Sequence, residues 1–208
     1  MFKILVTALA ISLGSAATWV VAQTAAPAAP AATPIRLRAT VEKVEPGSIT
    51  VKERSGEVVV LQLAPNLVMT EVFAIDIADI KAGSYIGSAA MPQADGTLKA
   101  LEVLVFPEAM RGAGEGHRPF DLQPQSTMTN ATVDQLMASS DGKTLKLKYK
   151  DGEKTLTVAT GAPVVTFKPG DNSLLVVGAK LIVTAELRDG KPTALRIVAG
   201  KNGFAPPM

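Results

Sequence analysis

Residues 35–53, IRLRATVEKVEPGSITVKE, alternate apolar and polar side chains on both sides of a Pro-Gly turn. Ile35, Leu37, Ala39 and Val41 fall on one face of an extended chain, and Arg36, Arg38, Thr40 and Glu42 fall on the other. A period of two describes a strand with one buried and one wet face. Gly47 can adopt the positive φ that a tight hairpin turn demands. This stretch therefore reads as two strands of a meander.

Most of its landmarks return later in the chain. Ala39-Thr40-Val41 recurs as Ala131-Thr132-Val133, Pro46-Gly47 as Asp141-Gly142, and Ser55-Gly56 as Asp151-Gly152. Ala82-Gly83-Ser84 matches Val177-Gly178-Ala179, and Asp95-Gly96 matches Asp189-Gly190. Ala100-Leu101-Glu102-Val103 returns as Ala194-Leu195-Arg196-Ile197. Several landmarks at nearly constant spacing point to an internal duplication. Leu145, Leu147 and Tyr149 oppose Lys146, Lys148 and Lys150, so the second copy alternates as the first does. The lysine ladder is the solvated face of such a strand, and it discourages edge-to-edge aggregation.

Each copy is expected to hold three meandering strands, an irregular segment and a final hairpin. The strands fall near 35–44, 48–53, 57–63, 84–90 and 98–106, then near 131–136, 144–149, 154–158, 180–186 and 193–198. Between the third and fourth, Asp76 caps one helical turn and Gly83 ends it. This order predicts an all-β fold of two tandem OB-like five-stranded barrels, with a pair of small β-sandwiches as the alternative. The domains are then 35–106 and 130–200, joined by an irregular glycine- and proline-rich segment at 107–129 and followed by a tail at 201–208. Units of about 70 residues without a staple are expected to pack together to gain core.

The N-terminus assigns a compartment. Lys3 precedes an apolar run, Ile4–Leu13, which Gly14 and Ser15 break, and Val20-Val21-Ala22 offers small residues at the cleavage subsites. This is the pattern of a signal peptide over 1–22. An uncleaved anchor is the alternative, because apolar character continues to Ala22, near the roughly 20 residues that span a bilayer. Residues 23–34, QTAAPAAPAATP, read as a disordered tether. The mature chain is expected in the periplasm or outside the cell, with no membrane span, and losing Lys3 takes its formal charge from +2 to +1. So small a charge argues against nucleic acid as a partner. The absence of cysteine excludes disulfides, thiolate metal sites and a cysteine nucleophile.

The chain resembles a family of exported bacterial proteins of unknown function with OB-like barrels. The resemblance rests on ATVEKVEPGSITVKERSGE, IADIKAGSYIG, ADGTLKALEVLVFPE, the joint FPEAMRGAGEGHRPFDLQPQSTMTNATV and the terminal APPM. It implies the fold and no activity. Similar sequences sometimes carry the label of a metal transporter permease, which needs several spanning helices where this sequence offers only its signal region.

The joint is where chemistry is sought. It holds the chain's one histidine, His117, with Glu108, Met110, Arg111, Glu115, Arg118 and Asp121 around it. His117, Glu115, Glu108 and Asp121 would suit a divalent metal, and Met110 or Met128 would suit copper(I). Against this, a second imidazole at ligand spacing is missing, and Arg111 and Arg118 offer the carboxylates ion pairs instead. The structural alternative makes Phe106 and Phe120 apolar anchors across both barrels, with Arg111 and Arg118 pairing locally. Catalysis lacks support: the hydrolase elbow is missing, Glu108 and Glu115 have no defined opposed geometry, and Gly112–Gly116 lacks the GK[ST] of a phosphate loop. Asn130-Ala131-Thr132 formally matches a glycosylation acceptor but begins a strand. The expectation is a non-catalytic envelope protein without a cofactor, binding another protein, a glycan or a polymer. A metal-binding or metal-delivery accessory is the alternative, and an unrecognised hydrolase comes third.

Overall fold

The computed structural model describes residues 34–140 and 142–207. The expected signal peptide and all of the tether except Pro34 lie outside the described residues, as does Asp141 of one expected turn. Among the described residues no helix is long and apolar enough to cross a membrane.

The fold is all-β. Its strands are β1 (Ile35–Glu45), β2 (Ser48–Glu53), β3 (Val58–Ala74), β4 (Tyr85–Pro92), β5 (Leu98–Ala100), β6 (Val103–Val105) and β7 (Gly116–Pro119). Then follow β8 (Thr127–Ser139), β9 (Gly142–Tyr149), β10 (Gly152–Ala159), β11 (Val164–Pro169), β12 (Lys180–Arg188) and β13 (Lys191–Ala199).

Five strands close into a barrel. β1 pairs with β2, β2 with β3, β3 with β13, β13 with β12, and β12 returns to β1. Only the β3–β13 joint is parallel. Alternation fills the interior with Ala39, Val41, Ile49, Val51, Leu61, Val183, Ala185 and Ile197. A fully buried Val, Leu or Ile contributes about 1.5–3 kcal/mol, so these positions dominate the barrel's stability. At the β12–β13 turn Asp189 and Gly190 both take positive φ, 50° and 74°, as a two-residue turn matched to strand twist requires.

The barrel does not coincide with residues 35–106. It takes three strands from that span and its last two from the far end of the chain, 180–199. The reason lies in β3, which was expected to stop at Leu63 and instead continues to Ala74. Pro65, which has no amide to donate, sits where the pairing to β13 jumps from Leu63 to Val68. Beyond that break β3 pairs antiparallel with β11, a strand absent from the sequence reading, about the central pair Val72 and Phe167. The Ile75 amide donates to Val164 O at 2.9 Å, and the Gly170 amide donates to Met69 O at 3.0 Å. These two arms carry the chain across the molecule.

On the other side β4 pairs with β5, β5 with β10, β10 with β9, β9 with β8, and β8 with β4. These strands enclose their own apolar cluster, which includes Ile86, Val133, Leu145, Leu147 and Leu156. The helical turn after β3 is present, a 3-10 turn over Ile77–Asp79. Asp76 accepts from the Ala78 amide at 2.7 Å, and Asp79 returns a bond to the Asp76 amide. A similar turn over Asn172–Leu174 is capped by Asp171, which accepts from Ser173 at 2.8 Å. Ile80 seals the second cluster, and Leu174 and Leu175 seal the barrel. A third cluster, built on Val72, Ala89, Leu104, Met128, Val165 and Ile182, joins the two.

Candidate functional site

The joint is more ordered than the sequence suggested. A 3-10 turn over Glu108–Met110 is followed by β7, which adds to the edge of β8 with Gly116 opposite Asn130 and Pro119 opposite Thr127. Tyr85 Oη and Asn130 Nδ2 both donate to Ala113 O, at 3.2 and 2.9 Å, and tie the loop between these elements to β4 and β8. Arg111 donates to Gly83 O at 3.0 Å.

The four residues considered for a metal have separate partners. Glu108 holds Arg111 through two bonds of 2.6 and 2.7 Å. Asp121 accepts two bonds from Arg38, each 2.9 Å. Glu115 accepts the Lys150 amide at 3.0 Å, and His117 Nδ1 lies 2.8 Å from Thr129 Oγ1. Among the described residues no three His, Cys, Asp or Glu side chains gather into a possible metal site. Of the four, only His117 lies on β7, while Glu108 sits in the 3-10 turn before it. Desolvation, reinforced by Lys154, lowers the His117 pKa and favours the neutral ring.

The four residues considered for packing do lie against the core or the joint. Phe106 meets Tyr85 with ring centroids 5.3 Å apart, and Phe167 edge-on at 6.5 Å. Phe120 has the Arg36 and Arg38 guanidinium carbons each 5.6 Å from its centroid. Arg118 donates to Gly114 O at 2.8 Å, and Arg111 lies 6.0 Å from the Tyr85 ring. Both phenylalanines are half-buried.

Phe106, Arg118 and Phe120 border a cleft of 300 Å³ over the third cluster. Phe106, Phe120 and Phe167 form apolar walls, and Arg36, Arg118 and Arg196 bring three cations. No carboxylate lines it, and Thr184 supplies the one hydroxyl. Asn130 borders it while 6% exposed, and its Oδ1 has no hydrogen-bond partner. Gly87 leaves the space for this arrangement: a Cβ there would stand 2.8 Å from Asn130 Oδ1 and 3.0 Å from the Phe106 ring.

Glu102 shapes the electrostatics nearby. It is 1% exposed, and its Oε1 accepts from the Ala89 amide at 3.1 Å while Oε2 has no partner. Burial pushes its pKa up to about 7, against the pull of the Ala89 amide and Arg36. The Arg36 pKa is lowered, first by desolvation and then by Arg38, with Asp121 and Glu102 acting the other way. An arginine so placed stays charged.

Sequence reasoning named Phe106, Phe120 and Arg118 for packing and local pairing, not for a ligand site, and gave no such role to Arg36, Asn130, Phe167, Arg196 or Glu102. One signal was available: Glu102 is an acid inside the largely apolar run 98–106. The arrangement can hold an anionic, partly apolar molecule, and its lining offers no acid or imidazole to move protons. Comparison with known proteins finds no matching family model, curated protein or solved structure.

Proposed function

We propose that this chain is an exported, non-catalytic protein of the cell envelope that binds a ligand in the cleft. It is built from two copies of one OB-like five-strand unit that exchange their last hairpins. Support for a repeated unit lies in the ladders. β4–β8 runs from Tyr85↔Thr132 to Ala90↔Thr127, and β12–β1 runs from Lys180↔Thr40 to Ala185↔Ile35, each over six pairs. The bulge between Val41 and Lys43 has its counterpart between Val133 and Gln135. The parallel pairs Val103↔Val164 and Ile197↔Met69 correspond in the same way. Three meandering strands, a capped turn and a closing hairpin follow the OB-type order. A signal-peptide pattern supports export to the periplasm or beyond.

The observation that carries the binding function is the cleft itself. It is a concave, largely apolar site with a few convergent polar groups, formed at the junction of two β units, as ligand sites often are. The buried, unpartnered Oδ1 of Asn130 marks a place where a ligand donor is wanted. Two measurements test the proposal. Cell fractionation with N-terminal sequencing should recover a mature chain beginning at Gln23 in the envelope fraction, whereas an intact chain in the cytoplasm overturns export. Native mass spectrometry after incubation with a low-molecular-weight envelope extract should show a retained compound that is released unchanged. Absence of any retained compound, or its release in altered form, overturns non-catalytic binding.

A further inference from the structure

We infer that the cleft takes a small organic carboxylate with a flat apolar body and an O–H or N–H donor, the class to which hydroxylated aromatic acids belong. This rests on the proposal that the protein is a binding module, and it names what is bound.

Charge comes first. Arg36 from β1, Arg118 from β7 and Arg196 from β13 meet at one cleft from widely separated parts of the chain. Among the described residues neither Arg36 nor Arg196 has a carboxylate within ion-pair distance. The two acids that act on Arg36 do little to neutralise the group. Asp121 is committed to Arg38 by two bonds, and Glu102 is buried and half protonated near neutrality. Guanidinium groups that converge without counter-ions favour a planar anion that accepts paired hydrogen bonds.

Shape and polarity narrow the class. Phe106, Phe120 and Phe167 wall the cleft, so the anion needs an apolar, preferably flat, body. The volume of 300 Å³ lies at the lower end of ligand pockets, roughly 300–1,000 Å³, so the body is small. Asn130 fixes the remaining feature. Its Nδ2 is held by Ala113 O at 2.9 Å, so Oδ1 can only accept, and it has no donor. A buried acceptor left unpaired is unfavourable, and a ligand hydroxyl or amide would pair it. A simple inorganic anion satisfies the arginines and leaves the apolar walls without a partner.

The test is a titration of the purified chain by calorimetry and NMR, with 4-hydroxybenzoate as the probe. Saturable one-site binding is expected. 4-Hydroxybenzamide, which keeps the ring and hydroxyl without the charge, should bind at least about tenfold more weakly, the equivalent of one paired interaction. Benzoate should bind several-fold more weakly, and inorganic phosphate should not saturate. Arg196→Gln and Arg118→Gln, both at exposed positions, should each weaken the probe at least about tenfold at unchanged melting temperature. Arg54→Gln, outside the cleft, should change nothing. No binding of the probe, equal binding of acid and amide, saturation by phosphate, or indifference to both cleft variants overturns the inference. Equal binding of benzoate overturns the donor requirement. If the probe fails while the envelope extract still yields a retained neutral compound, the ligand class is wrong and the binding function stands. If the probe is converted to a new species, the non-catalytic reading falls and carboxylate recognition stands.

Discussion

The barrel that contains β1 and the ring of strands that contains β8 each have a six-pair antiparallel ladder, and they differ in charge. Under the proposed duplication, Ile182↔Arg38 in one corresponds to Gly87↔Asn130 in the other, and Thr184↔Arg36 corresponds to Ala89↔Met128. Next to the matched parallel pairs, Arg196 stands where the other side has Glu102. A ladder needs only alternation, turn glycines and a bulge in the right place, so it tolerates wide change on the outward side chains. The cleft lies where the two sides diverge: Arg36 and Arg196 come from the barrel, and Arg118, the Asn130 amide and the Met128 thioether come from the side of β8. The scaffold is set by what the two sides share, and the chemistry by what they do not.

The largest expected effect tests whether the two sides are one folding unit. Leu61 on β3 in the barrel and Leu156 on β10 in the ring are both fully buried, each in its own cluster. Truncating either to alanine should cost about 2–5 kcal/mol. Because the hairpin that completes each side belongs to the far part of the chain, both variants should lower a single thermal transition in calorimetry. Two transitions, each moved by only one variant, would break the comparison and restore independent domains.

Much of this frame was legible in the sequence. The alternation of 35–53, the turn glycines and the Asp76 cap all reflect local physics, and local physics is what a sequence displays. The pairing of β12 and β13 with β1 and β3 was not legible, because alternation says which face is buried and not which strand covers it. β3 looked finished at Leu63 because the arm beyond Pro65 is held by β11, almost a hundred residues away. The cleft was legible only as a packing joint, for the same reason. Phe106, Arg118 and Phe120 sit together in the joint, whereas Arg36 and Arg196 each read as the wet face of an ordinary strand. The four candidate metal ligands were grouped because they are close in sequence. Each of the four has its own partner, so closeness along the chain did not become a shared site.

Glu102 and Arg196 sharpen the comparison through pH. Between a carboxyl's ordinary 4.5 and the folded value of about 7, the unfolded chain loses its proton while Glu102 keeps it. Stability therefore falls as pH rises through that window and stays reduced above it. The difference corresponds to about 3 kcal/mol. Glu102→Gln keeps an acceptor for the Ala89 amide and removes the buried acid. It should be more stable than the parent by about that amount near pH 8, and nearly equal to it near pH 3.5, in urea unfolding. Arg196→Gln, exposed at the matched position, should stay within about 0.5 kcal/mol of the parent at both pH values. A Glu102→Gln variant no more stable at pH 8 would mean that the carboxyl is already neutralised by a partner.

The smallest effect concerns Arg38 and Asn130, which face Ile182 and Gly87 at matched ladder positions. Arg38 has found a partner in Asp121, and Asn130 Oδ1 has none. Asp121 is mostly exposed, 68% on its side chain, so its two short bonds lie in water's reach. Exposed pairs are worth roughly 0–1 kcal/mol and are screened by salt. The hydrogen bond from Arg38 lowers the Asp121 pKa, so what the pair contributes is present above the ordinary carboxyl range and is lost as pH falls through the lowered value. Asp121→Asn should thus cost less than about 1 kcal/mol at neutral pH in dilute buffer, and less again in concentrated salt. Its larger consequence is local. Arg38, freed beside Phe120 and Arg36, adds positive charge near the cleft, so the variant should bind an anionic probe at least as tightly as the parent. A stability loss well beyond 1 kcal/mol, unchanged by salt, would instead make this pair a structural clasp between the joint and the barrel.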